Sequence, residues 1–226
     1  MSACRPTLRT LVAALALGLL GACALPPAAT AATKLPPPAL DAPPAAAHGE
    51  EVAVFAGGCF WGVQEVFEHV KGVRKTWAGY SGGDAATAHY DQVSEGGTGH
   101  AESVKLLFDP AQVSYGQLLQ VFFSAATNPT ELNRQGPDSG TQYRSVIFYA
   151  SPEQQRIAAA YLAQLGKAHI YAAPIVTQLV PLKAFYPAES WHQDYASHHP
   201  NDLYIMINDA PKVANLRQWF PALYMP

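Results

Sequence analysis

The chain has 226 residues, of which 49% are hydrophobic and 14% charged, a composition typical of a folded protein with one or two domains. Its net charge is −3 and no stripe of Lys and Arg is present, which excludes a basic surface for nucleic acid or anionic lipid. The three cysteines, Cys4, Cys23 and Cys59, are too few for a disulfide framework.

The first 22 residues are typical of a secretory signal. Arg5 and Arg9 precede an apolar run over 11–20, which is about half the length of a membrane-spanning helix. The sequence Leu20-Gly21-Ala22-Cys23 then resembles the lipobox of bacterial lipoproteins, in which the cysteine is acylated. Cleavage among the alanines of 28–32 is the alternative. We expect export in either case, and a periplasmic protein anchored through Cys23 to the outer rather than the inner membrane in the first.

Residues 23–48 are dominated by Ala and Pro, which predicts a semi-extended tether with no core of its own. Without residues 1–22 the chain has 12 Lys and Arg against 17 Asp and Glu, a net charge of −5. Cys59 is then the only thiol of a folded domain predicted over 49–226. A single thiol in an oxidising compartment is either buried and inert or used in chemistry.

The first half of this domain alternates strands with one helix. The apolar residues of 51–56 predict a strand that ends at Gly57-Gly58, and a stripe of apolar residues over 60–70 predicts a helix that ends at Gly72. Two further strands are predicted at 73–78 and 102–108, on either side of a glycine-rich loop over 79–99.

The second half begins with the capping-box sequence at 114–117, which predicts a helix. A polar loop over 127–140, a strand at 143–149 and a helix from Pro152 to Gly166 are then predicted, followed by a strand at 175–180 and a helical stretch at 189–197. The order strand, helix, strand, strand, helix, strand predicts an α+β fold, a two-layer sandwich with a ferredoxin-like split βαβ core.

Cys59 is the candidate nucleophile because it lies where the first strand ends and the first helix begins. The positive end of the helix dipole and the free amide groups of a first turn lower the pKa of a thiol from about 8.5. Gly57 and Gly58 allow a tight turn that leaves the sulfur approachable. The alternative is that Cys59 is a small buried apolar residue.

Four ordered blocks of sequence resemble the A-type peptide methionine sulfoxide reductases. The signature is Gly58-Cys59-Phe60-Trp61-Gly62, and the supporting blocks are Gly79-Tyr80-Ser81-Gly82-Gly83, Thr98-Gly99-His100-Ala101-Glu102 and 134–145, with His192-Gln193 before Tyr195. The resemblance covers nearly all of 51–200. It implies reduction of the S epimer of methionine sulfoxide, free or within proteins, with a sulfenic acid formed on the cysteine.

The resemblance also implies roles for other residues of this sequence. Glu102 would be the general acid, because it shares a strand face with apolar residues whose surroundings raise a carboxyl pKa; a glutamate tilted to solvent is the alternative. Tyr90 and Tyr143 would hydrogen-bond the sulfoxide oxygen, although Tyr143 could be sheet core. Phe60 and Trp61 would hold the substrate methyl group, Phe60 being also a possible core residue, and Asp138 would support the site.

The sequence departs from many family members because no cysteine follows Cys59, so a resolving thiol is missing. We therefore expect the enzyme to depend on an external thiol, either a small molecule or a thioredoxin-like protein. We also expect a monomer without a bound cofactor. The spacing of His192, His198 and His199 gives no metal site. Two rival functions are a cysteine hydrolase with His100 or His192 as base, and a non-catalytic surface lipoprotein with an inert thiol.

Overall fold

The computed structural model describes residues 33–43 and 45–226, and its centre is a six-stranded sheet. The strands are β1 (Glu51–Ala56), β2 (Val73–Ser81), β3 (Ala101–Phe108), β6 (Val146–Tyr149), β7 (Gln178–Pro181) and β8 (Tyr186–Pro187), in the order β7-β6-β1-β3-β2-β8. Strands β4 (Arg134–Gln135) and β5 (Asp138–Ser139) form a separate hairpin.

The four strands β6, β1, β3 and β2 are neighbours in that order, and each adjacent pair is antiparallel. Helix Phe60–Glu68 joins β1 to β2, and β2 and β3 are antiparallel neighbours whose connection contains the short α-helix Tyr90–Ser94. This is the split βαβ arrangement that the sequence predicts. Strand β7 extends the sheet by parallel pairing with β6, and β8 extends it at β2. The predicted α+β class is therefore confirmed.

The helices are α1 (Phe60–Glu68), α2 (Tyr90–Ser94), α3 (Tyr115–Val121), α4 (Pro152–Lys167), α5 (Tyr195–His198) and α6 (Ala210–Trp219). The predicted capping box of α3 is formed: Ser114 Oγ accepts from the Gln117 amide at 3.1 Å, and the Gln117 side chain accepts from the Ser114 amide at 2.9 Å. Helix α3 continues into a π-helical turn, Phe122–Ala126.

The main core lies between one face of the sheet and the helices. Phe55 of β1 packs on Phe122 with ring centroids 5.0 Å apart, and alternate residues of β3 (Val104, Leu106, Phe108) are fully buried in the same cluster. The opposite face of β1 carries Val54, which lies in a smaller cluster covered by the segment after β7. Burial on both faces explains why β1 is a continuous apolar run.

The structure differs from the sequence prediction at several places, among them the predicted loop at 127–140, which contains the β4–β5 hairpin, and the predicted helical stretch at 189–197, which is interrupted at Asp194. Strand β2 continues to Ser81, so the predicted loop begins later. Strand β6 begins only at Val146, and Tyr143 lies in a 3-10 turn after Gly140, whose φ of 144° interrupts the extended chain. The C-terminal tail, for which no element was predicted, forms a π-helical turn over Ile205–Asp209 that leads into α6.

The described part of the predicted tether is packed on the domain. Leu35 is buried, and its amide donates to Ser124 Oγ at 3.1 Å. Further along, Tyr161 Oη donates to the Pro36 carbonyl at 2.8 Å, and Asp41 accepts from the Gly116 amide at 2.8 Å. Residues 35–41 of the predicted semi-extended tether therefore pack on the domain, because one leucine and several polar groups find partners there.

The predicted signal, the lipobox at Cys23 and the rest of the tether before Thr33 lie outside the described residues. Within 33–43 and 45–226, no helix has the length and apolar character needed to cross a membrane.

Candidate active site

The site is built at the junction of β1 and α1, where Cys59 is the residue that precedes the first helical turn. Gly58 has a φ of +101°, a conformation that favours glycine, and a Cβ there would lie 2.6 Å from the side chain of Gln135. A Cβ at Gly57 would lie 2.7 Å from the ring of Phe122. The two glycines are therefore required by close packing, and they place the thiol at the N-terminus of α1 with 8% of its surface exposed.

The pKa of Cys59 differs from the sequence expectation. Burial raises it well above the ordinary value, and the charges of Glu102 and Asp209 raise it further, whereas the backbone amide of Trp61 and the Lys212 ammonium lower it. The helix N-terminus thus acts in the expected direction but is outweighed by loss of water and by two carboxyl groups. In the resting protein Cys59 is a protonated thiol.

Glu102 lies at the second position of β3 and is 3% exposed, on the apolar face that its strand alternation predicts. Its Oε2 accepts a hydrogen bond from the backbone amide of Phe60 at 3.0 Å, so it is held at the same helix N-terminus as Cys59. Burial raises the pKa of Glu102 to about 8, while the Phe60 amide lowers it and Asp138 raises it. The carboxyl is therefore protonated near neutral pH.

Tyr90, the first residue of α2, and Tyr143, in a 3-10 turn, reach the same site from two different segments of the chain. Burial raises the pKa of both phenols, and the charges of Glu102 and Cys59 raise both further, so all four groups lie within electrostatic range of each other. The backbone of Tyr90 is fixed by Glu189, which accepts from its amide at 2.9 Å. Tyr143 lies in a 3-10 turn and not in a strand, and its partly buried side chain packs against the edge of the main core.

Phe60 and Trp61 form an aromatic wall beside the thiol. Phe60 is almost fully buried and packs edge-on against His192, with ring centroids 4.8 Å apart. Trp61 stacks on Tyr195 at 3.9 Å and donates its indole N–H to His192 Nδ1 at 3.0 Å. Phe60 therefore belongs to the core and also lines the site. Trp61 is held nearer the surface by its contacts with His192 and Tyr195.

Asp138, on β5, accepts a hydrogen bond from Tyr204 Oη at 2.5 Å. The ring of Tyr204 also stands edge-on to Trp61, with centroids 6.1 Å apart, and the charges of Cys59 and Asp138 contribute to a raised pKa of its phenol after burial. All the residues proposed for the site from sequence are thus gathered around the N-terminus of α1: Cys59, Phe60, Trp61, Tyr90, Glu102, Asp138 and Tyr143.

The sequence analysis missed the contribution of the C-terminal segment. Its inward-facing residues, Tyr204 and Asp209, lie beside the site, and Tyr195 supports Trp61. The available signal was an acidic and a basic residue, Asp209 and Lys212, three positions apart in the tail.

The histidines are not placed as bases for the thiol. The ring nitrogens of His100 are 3.2 Å from the Gly83 amide and 3.0 Å from the Asp84 carbonyl oxygen. His192 is buried and accepts from Trp61, and burial lowers its pKa to about 4. Among the described residues neither histidine hydrogen-bonds Cys59, and none of their His, Cys, Asp and Glu side chains cluster in threes as a metal ion requires.

A split βαβ sheet that holds a buried cysteine and a protonated carboxyl at one helix N-terminus brings together the sulfur nucleophile and the proton donor that a thiol oxidoreductase uses. Residues 51–222 match the family described as peptide methionine sulfoxide reductase, and the chain belongs to that family. It is 61% identical over 179 residues to peptide methionine sulfoxide reductase MsrA 2 of Mesorhizobium japonicum, covering 79% of this chain and 92% of the relative.

Two further comparisons agree. A second relative, peptide methionine sulfoxide reductase MsrA 2 of a Synechocystis species, is 50% identical over 188 residues, which is 82% of this chain and 88% of the relative. The structure of methionine sulfoxide reductase A of Corynebacterium diphtheriae superposes with a TM-score of 0.58 at 34% identity, covering 67% of this chain and 76% of that one. The fold and the class of enzyme, an oxidoreductase, are therefore the same.

Proposed function

We propose that this protein reduces the S epimer of methionine sulfoxide, free or within proteins, to methionine by forming a sulfenic acid on Cys59. The observation that carries the proposal is the hydrogen bond between Glu102 Oε2 and the Phe60 amide, which fixes a protonated carboxyl beside the thiol. A sulfoxide has an electrophilic sulfur and a poor leaving oxygen, so its reduction needs a sulfur nucleophile and a proton donor together.

The first half-reaction transfers the oxygen atom. The Cys59 sulfur attacks the sulfoxide sulfur while Glu102 gives its proton to the sulfoxide oxygen, and the proton of the thiol restores the Glu102 carboxyl. The S–O bond of the substrate breaks, methionine leaves, and Cys59 carries the oxygen as S–OH. Methionine sulfoxide is reduced by two electrons and the thiol is oxidised by two, with no net proton uptake.

The remaining residues bind and orient the substrate in this proposal. The phenols of Tyr90 and Tyr143 are neutral donors beside Glu102, suited to an oxygen that gains negative charge. Phe60 and Trp61 supply aromatic surface for the methyl group bound to sulfur. Asp138 acts through Tyr204, to which it is hydrogen-bonded.

The second half-reaction requires a thiol from outside the chain, because the sequence has no cysteine after Cys59. One external thiol attacks the sulfenic acid, which releases water and leaves a mixed disulfide on Cys59. A second thiol then attacks that disulfide and restores Cys59. Either a small thiol or a thioredoxin-like protein meets this requirement.

We also propose that the enzyme works outside the cytoplasm, in the periplasm, anchored through an acylated Cys23. The support is the signal-like sequence of 1–22 and the lipobox-like Leu20-Gly21-Ala22-Cys23. Only about 11 residues separate Cys23 from the packed Leu35, which span at most about 40 Å when extended. The domain would therefore stay close to the membrane surface. Metabolic labelling with an alkyne fatty acid should mark the natural chain and fail to mark Cys23→Ser.

The test of the reductase uses the chain from residue 24 onward, which keeps the packed segment of 35–41. It is mixed with a peptide that contains only the S sulfoxide, with and without dithiothreitol. One methionine per enzyme without reductant, and continuous turnover with it, is the expected result. Absence of methionine in both conditions, with Cys59 intact and open to alkylation, would refute the proposal.

A further inference from the structure

Asp209 is a buried acidic residue that the proposed reaction does not use. Its side chain is fully buried at the end of the π-helical turn. Oδ1 accepts from the Lys212 ammonium at 2.9 Å, and Oδ2 has no hydrogen-bond partner among the residues that the structure describes. A buried carboxyl group with one unpaired oxygen is costly, so its presence calls for a physical reason.

The carboxyl is packed against the first turn of α1. A Cβ added at Gly62 would overlap the Asp209 carboxyl group and approach Lys212 Nζ to 2.9 Å. Gly62, the second glycine of the signature Gly58-Cys59-Phe60-Trp61-Gly62, is therefore also required by close packing, because only a residue without a side chain admits the carboxyl here. The positive end of the helix dipole favours an anion at this turn, as it also does at Cys59.

Cys59 is surrounded by several groups that ionise. The charged groups that face it are Glu102 from β3, Asp209 from the C-terminal segment and Lys212 from α6, and the phenols around it are Tyr90, Tyr143, Tyr195 and Tyr204. Glu102 has a pKa of about 8 and carries little charge at neutral pH. Burial raises the pKa of Asp209, and the Lys212 ammonium, 2.9 Å from its Oδ1, opposes this effect and favours the charged form.

We propose that Asp209, held by Lys212, is a positioning residue that keeps Cys59 in its protonated and unreactive form by placing a second negative charge at the helix N-terminus. The Asp209 carboxylate and a Cys59 thiolate would both lie at the electropositive first turn of α1. Because like charges repel, the negative charge on Asp209 disfavours ionisation of Cys59. A protonated thiol resists oxidation, which matters here because no cysteine follows Cys59 in the sequence to resolve its sulfenic acid. This inference concerns the same site and rests on the proposed function.

The test is the pH dependence of Cys59 alkylation in the full-length chain, followed by mass spectrometry of the peptide that contains Cys59. Asp209→Asn keeps the shape and the contact with Lys212 but removes the charge. We expect its alkylation profile to shift to lower pH, with a rate about tenfold higher at pH 7, and peroxide to convert Cys59 to sulfinic acid faster.

Glu153→Gln is the matched control, since it removes the same charge from an exposed site on α4, and its profile should not move. Gly62→Ala is the second variant, for the case in which Asp209→Asn does not fold. It displaces the Asp209 carboxyl and should shift the alkylation profile in the same direction.

An unchanged or higher pH midpoint of Cys59 alkylation in folded Asp209→Asn would overturn the inference. A purely structural role of Asp209 would lower the melting temperature of the variant and leave its alkylation profile unchanged. Alkylation needs no turnover, so failure of the reductase assay is seen separately.

Discussion

The backbone amide of Phe60 donates to Glu102 Oε2 at 3.0 Å, so a glutamate from β3 is fixed at the same helix N-terminus as the thiol of Cys59. This contact joins residues 42 positions apart in the chain. It limits how far the carboxyl can move from the sulfur, and it lowers the pKa of Glu102 by less than burial raises it. The result is an acid that holds its proton near neutral pH.

Replacement of Glu102 by glutamine tests the general acid. The amide keeps an oxygen for the Phe60 amide but has no acidic proton to give, so we expect single-turnover sulfoxide reduction to slow by about 10²–10⁴-fold. Alkylation of Cys59 should persist, because the nucleophile is unchanged. Equal rates of reduction in Glu102→Gln and in the natural chain would show that the proton comes from elsewhere.

The raised pKa of Glu102 also predicts how stability changes with pH. The folded state holds this proton up to pH about 8, while an unfolded glutamate loses it near pH 4.3. The folded state therefore binds more protons between these values, and stability falls as pH rises from about 4 to about 8, by an amount on the order of a few kcal/mol. Urea unfolding at pH 5 and pH 8 should show this decrease in the natural chain and a smaller one in Glu102→Gln. A decrease of equal size in both would assign it to other groups.

The sequence was sufficient for the sheet core because the local signals agree with the tertiary contacts. The apolar run of β1, the alternation in β3 and the capping box at Ser114 each specify one element, and their order specifies the split βαβ core. Placement of Glu102 on the buried face followed from strand period alone.

Two features of the site depend on long-range contacts and could not be predicted. The pKa of Cys59 is raised first by burial and then by the charges of Glu102 and of Asp209, which lies 150 residues later in the chain, whereas the sequence showed only the helix N-terminus. Tyr143 was predicted to begin a strand over 143–149 that carries apolar residues on both faces, but it lies in a 3-10 turn. In both cases tertiary packing decides what local propensity leaves open.

The hydrogen bond between Tyr204 and Asp138 predicts energetic coupling across the site. Tyr204→Phe and Asp138→Asn each remove or weaken this bond, and each should lower kcat/KM by about tenfold, since hydrogen bonds to charged groups contribute about 1.5–3 kcal/mol. The double variant should be little worse than either single variant, because both lose the same bond. Losses that add fully would show that the two residues act independently. Steady-state kinetics of all four proteins measures this cycle.

Leu35 predicts that the N-terminal segment is part of the folded domain. Its side chain is buried, its amide donates to Ser124, and its carbonyl accepts from Gln120 at 2.7 Å. Leu35→Ala should therefore lower the free energy of unfolding by about 2–5 kcal/mol, through lost burial and the cavity that remains. Urea denaturation followed by tryptophan fluorescence measures this change.

Leu132→Ala is the matched control for Leu35, because Leu132 is 64% exposed and the same truncation there should change stability by less than about 0.5 kcal/mol. A chain that begins at residue 49 should lose at least as much stability as Leu35→Ala, since it lacks the whole segment. If that short chain and the longer one unfold at the same urea concentration, the contacts of residues 35–41 do not stabilise the domain in solution. An anchored tether would then extend to residue 48 and allow the active site more reach from the membrane.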